Sequence, residues 1–194
     1  MAISLTKGAN ISLAKEAPDL TVARLGLGWG KRQKKGLLGG VKESSVDLDA
    51  SCLLFGGHKN LVDQVWFGQL RSRDGSIVHS GDDLVGGGGA EDPNEEITVR
   101  LNQVPDNVDS LVFTVNSFSG ESFDGIPNAF CALRDHSSGK EIARFNLSVA
   151  GGGHTGLVIA KLYRHSGAWK FKALGDWGEG RTYQQLLPVI QPSL

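Results

Sequence analysis

Between His79 and Glu96 the chain reads HSGDDLVGGGGAEDPNEE, in which six carboxylates (Asp82, Asp83, Glu91, Asp92, Glu95 and Glu96) flank four glycines and an alanine. Like charges this close repel, and a fold keeps them only if a cation or several N–H donors sit among them. Glycine lets the backbone turn sharply and point carbonyl oxygens inward. Carboxylates together with inward carbonyls are the ligands of a hard, oxygen-seeking ion such as Ca²⁺. The spacing is not that of an EF-hand, because the D-x-[DN]-x-[DN]-G pattern with a glutamate at the twelfth position is absent. It is not a nucleotide P-loop either: no Gly-Lys-Ser/Thr follows the glycines, and the surrounding acids would repel phosphate. The competing reading of this stretch is a flexible acidic surface loop.

A second acidic element, Asp47-Leu48-Asp49, precedes the apolar run ASCLLF. In an extended chain residues i and i+2 project to the same side, so these two carboxylates meet at one point. They gain meaning as metal ligands if the other acidic element folds beside them; alone they read as a solvated strand end. Asn116 and Ser117 close the apolar run SLVFTV, with Glu121 and Asp124 just downstream, and they offer further oxygens or cap a turn. The histidines at 58, 79, 136, 154 and 165 fall next to Gly or Ser in predicted turns and read as surface residues. There is no G-x-S-x-G nucleophile elbow and no H-E-x-x-H, so no base is paired with a nucleophile. Cys52 and Cys131 lie inside apolar runs and read as buried hydrophobes, with a disulfide or a reactive thiol as the alternative. No Cys/His spacing suggests zinc.

The elements that position these residues read as short strands. Period-2 alternation marks Ile3–Thr6 and Asn10–Leu13, which look like a hairpin joined at Lys7-Gly8-Ala9-Asn10. VWFGQL (65–70), EITVRL (96–101), SLVFTVNSF (110–118), NAFCALRD (128–135), EIARFNL (141–147), LVIAKLYR (157–164) and WKFKAL (169–174) also read as strands. Turn signals separate them, with hairpins at Ser138-Gly139 and Ser166-Gly167. Many short strands at near-regular spacing indicate a sandwich or barrel, and no βαβ rhythm is visible. TYQQLLPVI predicts one or two helical turns that Pro188 stops. Gly30–Gly40 (GKRQKKGLLGG) reads as a solvated loop carrying the Lys31–Lys35 cluster, or as a phosphate- or partner-binding loop.

The 194 residues suit one domain with a real core. With 20 basic and 21 acidic side chains the chain has no electrostatic footprint for nucleic acid. The N-terminus lacks a signal-peptide core and no apolar run reaches 18 residues, so the expected location is cytoplasmic.

Taken together, these motifs resemble the bacterial TerD family of tellurium-resistance and stress-response proteins over nearly the whole length. The likeness is carried by ISLTKGANISLAKEAPDL, LGLGW (25–29), DLDAS (47–51), HSGDDLVGGGG (79–89), NAFCALRD, EIARFNL and LYRHSGAWKF (162–171). The basic insertion, NSFSGESF and the ending GRTYQQLLPVIQPSL are similar to the TerZ or TerX branch. The resemblance implies a single domain over 1–194, an all-β sandwich of two antiparallel sheets with long acidic loops and little helix. It further implies one or two Ca²⁺ ions between loops and no enzymatic activity. Carried over, the ligands are Asp47 and Asp49 from one loop and Asp82 and Asp83 from the other. The backbone near Gly86 and acids among Asp92, Glu95 and Glu96 close the cage. The family often has acids where this chain has glycines 87 and 89, and an Asn where it has Asp83. The implied partners are other tellurium-resistance or stress-response proteins, a membrane-associated complex among them, and no nucleic acid. Two further function classes remain at this stage: a metal-assisted hydrolase using the same acids, and thiol chemistry at Cys52 and Cys131.

Overall fold

Alternating and continuous apolar runs fold here into two stacked sheets. The computed structural model describes residues 3–4, 8–35, 41–87, 92–124, 126–147 and 152–194. In chain order the elements are β1 (Ile3–Ser4), β2 (Asn10–Ser12), α1 (Leu13–Glu16), β3 (Val22–Gly28), β4 (Arg32–Lys35), β5 (Val41–Ser44), β6 (Leu48–Phe55) and β7 (Leu61–Val65). They continue with β8 (Ile77–His79), β9 (Glu95–Arg100), β10 (Ser110–Ser117), β11 (Phe130–Asp135), β12 (Glu141–Asn146), β13 (Gly156–His165), β14 (Ala168–Gly178) and α2 (Tyr183–Ile190). One sheet has the order β1-β12-β11-β3-β9-β8 and the other β2-β14-β13-β10-β6-β7; β4 and β5 form a separate pair. All neighbours are antiparallel except β1 on β12. The expected all-β sandwich of two antiparallel sheets is borne out.

Burial follows the pleat. In β9 the inward residues Glu95, Ile97 and Val99 are buried while Glu96, Thr98 and Arg100 are half-exposed. The main core joins both sheets: Leu25, Leu27, Ile97 and Leu133 from one meet Ala50, Leu54, Phe113 and Leu157 from the other. Strands β6 and β10 are buried along their full length. Their outer face is covered by α2, where Tyr183, Leu186 and Ile190 pack on Leu53, Phe55, Val112, Val158 and Leu174. A strand covered on both faces loses the polar alternation of a half-exposed one.

Four sequence readings are corrected. The two N-terminal strands are not a hairpin: β1 joins β12 in one sheet and β2 joins β14 in the other. Residues 66–70 are not a strand; the strand is β7, just upstream. Trp66 and Gln69 exchange backbone hydrogen bonds (3.1 and 2.9 Å), closing a tight turn at Phe67-Gly68. A Cβ on Gly68 would lie 2.7 Å from the Trp66 indole, so glycine permits the close fold-back. Pro188 does not stop α2, which runs on to Ile190. It gives up one backbone bond, and the three buried side chains of the helix hold it on the sheet. The basic segment is not a plain loop: Arg32–Lys35 and Val41–Ser44 pair as a two-stranded ribbon, while 36–40 lie outside the described residues. The hairpins at Ser138-Gly139 and Ser166-Gly167 form as read. Ser166 and Gly167 both take positive φ (51° and 77°), which suits the twist of a two-residue turn.

Candidate metal centre

Asp47 immediately precedes β6 and Asp49 is its second residue. The strand period aims both carboxylates the same way, as the i, i+2 spacing predicts. The loop after β8 brings Asp82 to them, and one carboxylate oxygen from each of Asp47, Asp49 and Asp82 lies within 4.8 Å of the others. Asp49 is 4% exposed, Asp47 half-buried and Asp82 exposed. Asp47 Oδ1 and Asp49 Oδ2 are buried and have no hydrogen-bond partner. Burial, reinforced by the charges of Asp47, Glu95 and Asp82, pushes the Asp49 carboxyl up to about 8. Burial first, then the charges of Asp82, Glu95, Asp83 and Glu121, pushes Asp47 up to about 6. Three convergent carboxylates with orphaned buried oxygens fit a hard cation that takes oxygen ligands and tolerates irregular geometry.

Glu95 frames this cluster from the opposite sheet. It is fully buried; its Oε2 accepts the Ala50 N–H at 2.8 Å and its Oε1 accepts the Asp83 N–H at 3.2 Å. One carboxylate thus ties β9 both to β6 and to the acidic loop. Asp83 is held by its neighbours. Its Oδ1 accepts the N–H groups of Val85 (2.9 Å) and Gly86 (3.1 Å), and its Oδ2 accepts from the Asn94 amide at 2.9 Å. Those bonds outweigh its burial and hold its carboxyl below the usual range. Asn94 continues the frame by accepting the Trp29 N–H at 2.9 Å, and the Trp29 indole N–H donates to the Val46 carbonyl at 2.8 Å. Gly86 lies against that indole at φ 67°, where a Cβ would fall 2.3 Å from Nε1. No other residue fits this approach without moving Trp29.

The sequence-assigned ligands therefore divide. Asp47, Asp49 and Asp82 form the cluster, and Glu95 and Asp83 build the wall beside it. Gly86 shapes the loop through its N–H. Glu96 points to the outer face of the sheet, where Arg24 lies 3.6 Å away, and Asp92 is exposed and outside the cluster. Glu91 and glycines 88 and 89 lie outside the described residues. Asn116 stands directly opposite Asp49 across β10 and β6, and its Oδ1, like Ser117 Oγ, is buried without a partner. Glu121 reaches the centre through its field on Asp47, while Asp124 is exposed and accepts from Ser122 at 3.0 Å.

His79 corrects the surface reading. It is 3% exposed, its Nδ1 accepts the Gly81 N–H at 3.0 Å, and its Nε2 lies 3.4 Å from Glu95 Oε2, unaligned for a hydrogen bond. Acceptance at Nδ1 assigns the proton of the neutral ring to Nε2, facing the carboxylate. The signal was alternation: His79 shares its strand face with Ile77. The cysteines are free, buried and on different sheets. Burial raises the Cys131 thiol to about 12 and Cys52 further, which leaves almost no thiolate. No helix among the described residues is long and apolar enough to cross a membrane.

Residues 1–187 match the TerD domain family model. The chain is 46% identical over 186 residues to the tellurium resistance protein TerZ of Serratia marcescens, covering 95% of this chain and 94% of that one. It is 40% identical over 190 residues to the stress response protein SCP2 of Bacillus subtilis, covering 91% and 92%. It also resembles the crystal structure of a homologue of telluride resistance protein (TerD) from Streptomyces coelicolor, with a TM-score of 0.68, 20% identity and coverage of 83% and 92%. That last likeness is one of fold.

Proposed function

The chain belongs to the TerD domain family, and we propose that it is a Ca²⁺-binding β-sandwich module of the bacterial response to tellurite and chemical stress, acting in the cytoplasm through protein assembly rather than catalysis. The observation that carries the metal reading is the pair of orphaned buried oxygens on Asp47 and Asp49, with Asp82 closing on them. Asp47, Asp49 and Asp82 would hold the ion, with Glu95 adding negative potential behind them. The ion supplies the positive charge that these acids lack, and so locks the β6 entry to the loop after β8. The names of the relatives support the stress-response role, and the unpaired thiols suit a reducing compartment.

Assembly is supported by what surrounds the cluster. Leu84 and Val85 follow the acidic pair and are 60% and 47% exposed; Phe118, whose N–H donates to the Asp47 carbonyl, is 43% exposed. Apolar side chains presented on the loops of an ion site suit contact with a partner protein. Catalysis has less behind it: His79 is turned inward between Gly81 and Glu95. The hydrolase alternative rests on the exposure of Asp82, which leaves one side of the cluster open to water.

Calorimetric titration of chelator-treated protein with Ca²⁺ tests the proposal. The expected result is a binding heat and a higher melting temperature, both lost in Asp49→Asn. The absence of both in the parent protein would overturn the metal reading.

A further inference from the structure

A second concentration of like charge, built from lysines, lies on the outer face of the sheet β2-β14-β13-β10-β6-β7. Strand register there defines two rows. In one, Leu53, Val112, Lys161, Lys172 and Asn10 stand opposite one another in turn; in the next, Phe55, Ser110, Tyr163, Lys170 and Ser12 do so. Helix α2 buries the apolar end of both rows, whereas the lysines are half-buried and carry no carboxylate opposite them. Directly opposed like charges weaken an antiparallel pair. Lys161 is further disturbed: burial, then the charges of Lys172 and Lys59, hold its ammonium below the usual lysine range.

Beside Lys161 opens a cavity of about 210 Å³, lined by Lys59, Lys161, Tyr163 and Arg164, with Asp109 its one acidic side chain and Leu194, whose carboxylate ends the sequence, also on its wall. The Arg164 guanidinium is turned to the Val104 carbonyl (2.8 Å) and to the Trp169 ring (4.6 Å). Lys161 donates one of its protons to the Ser193 carbonyl, which leaves two. Lys59, in the turn between β6 and β7, holds a left-handed φ of 59°. Glycine adopts that conformation without strain, so a lysine there places a charge over the cavity at a conformational cost.

We propose that this cavity binds an oxyanion of the phosphate class between Lys59 and Lys161, carried either by a soluble phosphate ester or by a phospholipid headgroup. Ammonium groups act as point charges toward phosphate, and a divalent anion relieves the repulsion among Lys59, Lys161 and Lys172 at once. The site is separate from the acidic cluster and does not depend on the metal reading.

The test uses chelator-treated protein titrated with inorganic phosphate, with chloride at matched ionic strength as control. The expected result is a binding heat with Kd on the order of 1 mM and a melting temperature raised by phosphate above chloride. Lys161→Ala weakens binding about tenfold, as does Lys59→Gly, while Lys170→Ala, outside the cavity, changes it less than about twofold. Lys59→Gly also raises the melting temperature in phosphate-free buffer by relieving the backbone, so lost binding cannot be blamed on lost folding. Co-sedimentation with phosphatidic acid vesicles, and not with phosphatidylcholine, assigns a headgroup; heat with inorganic phosphate and no co-sedimentation assigns a soluble ligand. Equal melting shifts in phosphate and chloride with no co-sedimentation, or unchanged binding in Lys59→Gly, would overturn the proposal.

Discussion

Carboxylates gather near both ends of the first sheet, joined at one end by Asp47 and Asp49 at the start of β6 in the second, and the two groups are treated in opposite ways. At the end where Asp135 pairs with Ala23, Asp135 accepts from Ser137 and Ser138, and Glu141 lies between Arg134 and Arg144 at 3.3 and 2.6 Å. Hydrogen bonds and cations hold both carboxyls below the usual range. At the end where Glu95 pairs with Leu27, no Lys or Arg faces Asp47 or Asp49 among the described residues, and their carboxyls are raised. The protein neutralises one group internally. The other it assembles with no internal cation facing Asp47 or Asp49 among the described residues, the contrast on which the proposed ion site rests.

The largest expected effect separates the two groups by pH. A carboxyl raised in the folded state contributes stability that is fully present below its unfolded value of 3.8 and is lost as pH rises through its folded value. For Asp49 that window runs from about 4 to about 8, and the loss reaches at most on the order of 4 kcal/mol at pH 7. Chelator-treated protein should therefore lose melting temperature across this range, Ca²⁺ should remove most of the slope, and Asp49→Asn should reduce it without Ca²⁺, leaving the part that Asp47 contributes between about 4 and about 6. The Glu141 group has the opposite sign, its contribution disappearing as pH falls through its lowered value. A flat profile in chelator would break the contrast.

A smaller effect is expected at the wall of the site. Glu95→Ala strands the N–H groups of Ala50 and Asp83 and should cost about 2–4 kcal/mol by urea denaturation, with or without Ca²⁺. If it costs no more than a surface change, the buried frame is not what positions the cluster. The smallest effect sharpens the comparison from the other side. Glu141→Gln, on a partly exposed pair, should cost only about 0.5 kcal/mol and leave Ca²⁺ binding unchanged.

Much of this is legible in the sequence because one period does most of the work. Strand alternation places Asp47 beside Asp49 and marks six of the later strands. What alternation does not contain is the partner of each strand. Ile3–Ser4 and Asn10–Ser12 both read as strands, yet only the edges available on each sheet decide that they separate. The same gap hid Glu95 and Glu96. Adjacent in sequence, they fall on opposite sides of β9, one locked in the core and the other beside Arg24 on the surface. The resemblance grouped them as ligands because composition counts acids, whereas the pleat sorts them. His79 was hidden because neighbouring glycine and serine mark a turn, and the turn begins one residue later than they suggest.

The N-terminal segment has a mechanical side. β1 (Ile3–Ser4) is the last strand of one sheet, on β12, and β2 (Asn10–Ser12) the last strand of the other, on β14. Two strands this close in sequence are thus fastened to different layers, like a stitch through two pieces of cloth. Peeling that one stretch would lay bare an unpaired rim on both layers in a single event, and such rims are where separate molecules zip together. On one side of the sandwich, two short strands near the start of the chain guard the edges of both layers, far in sequence from the acidic cluster.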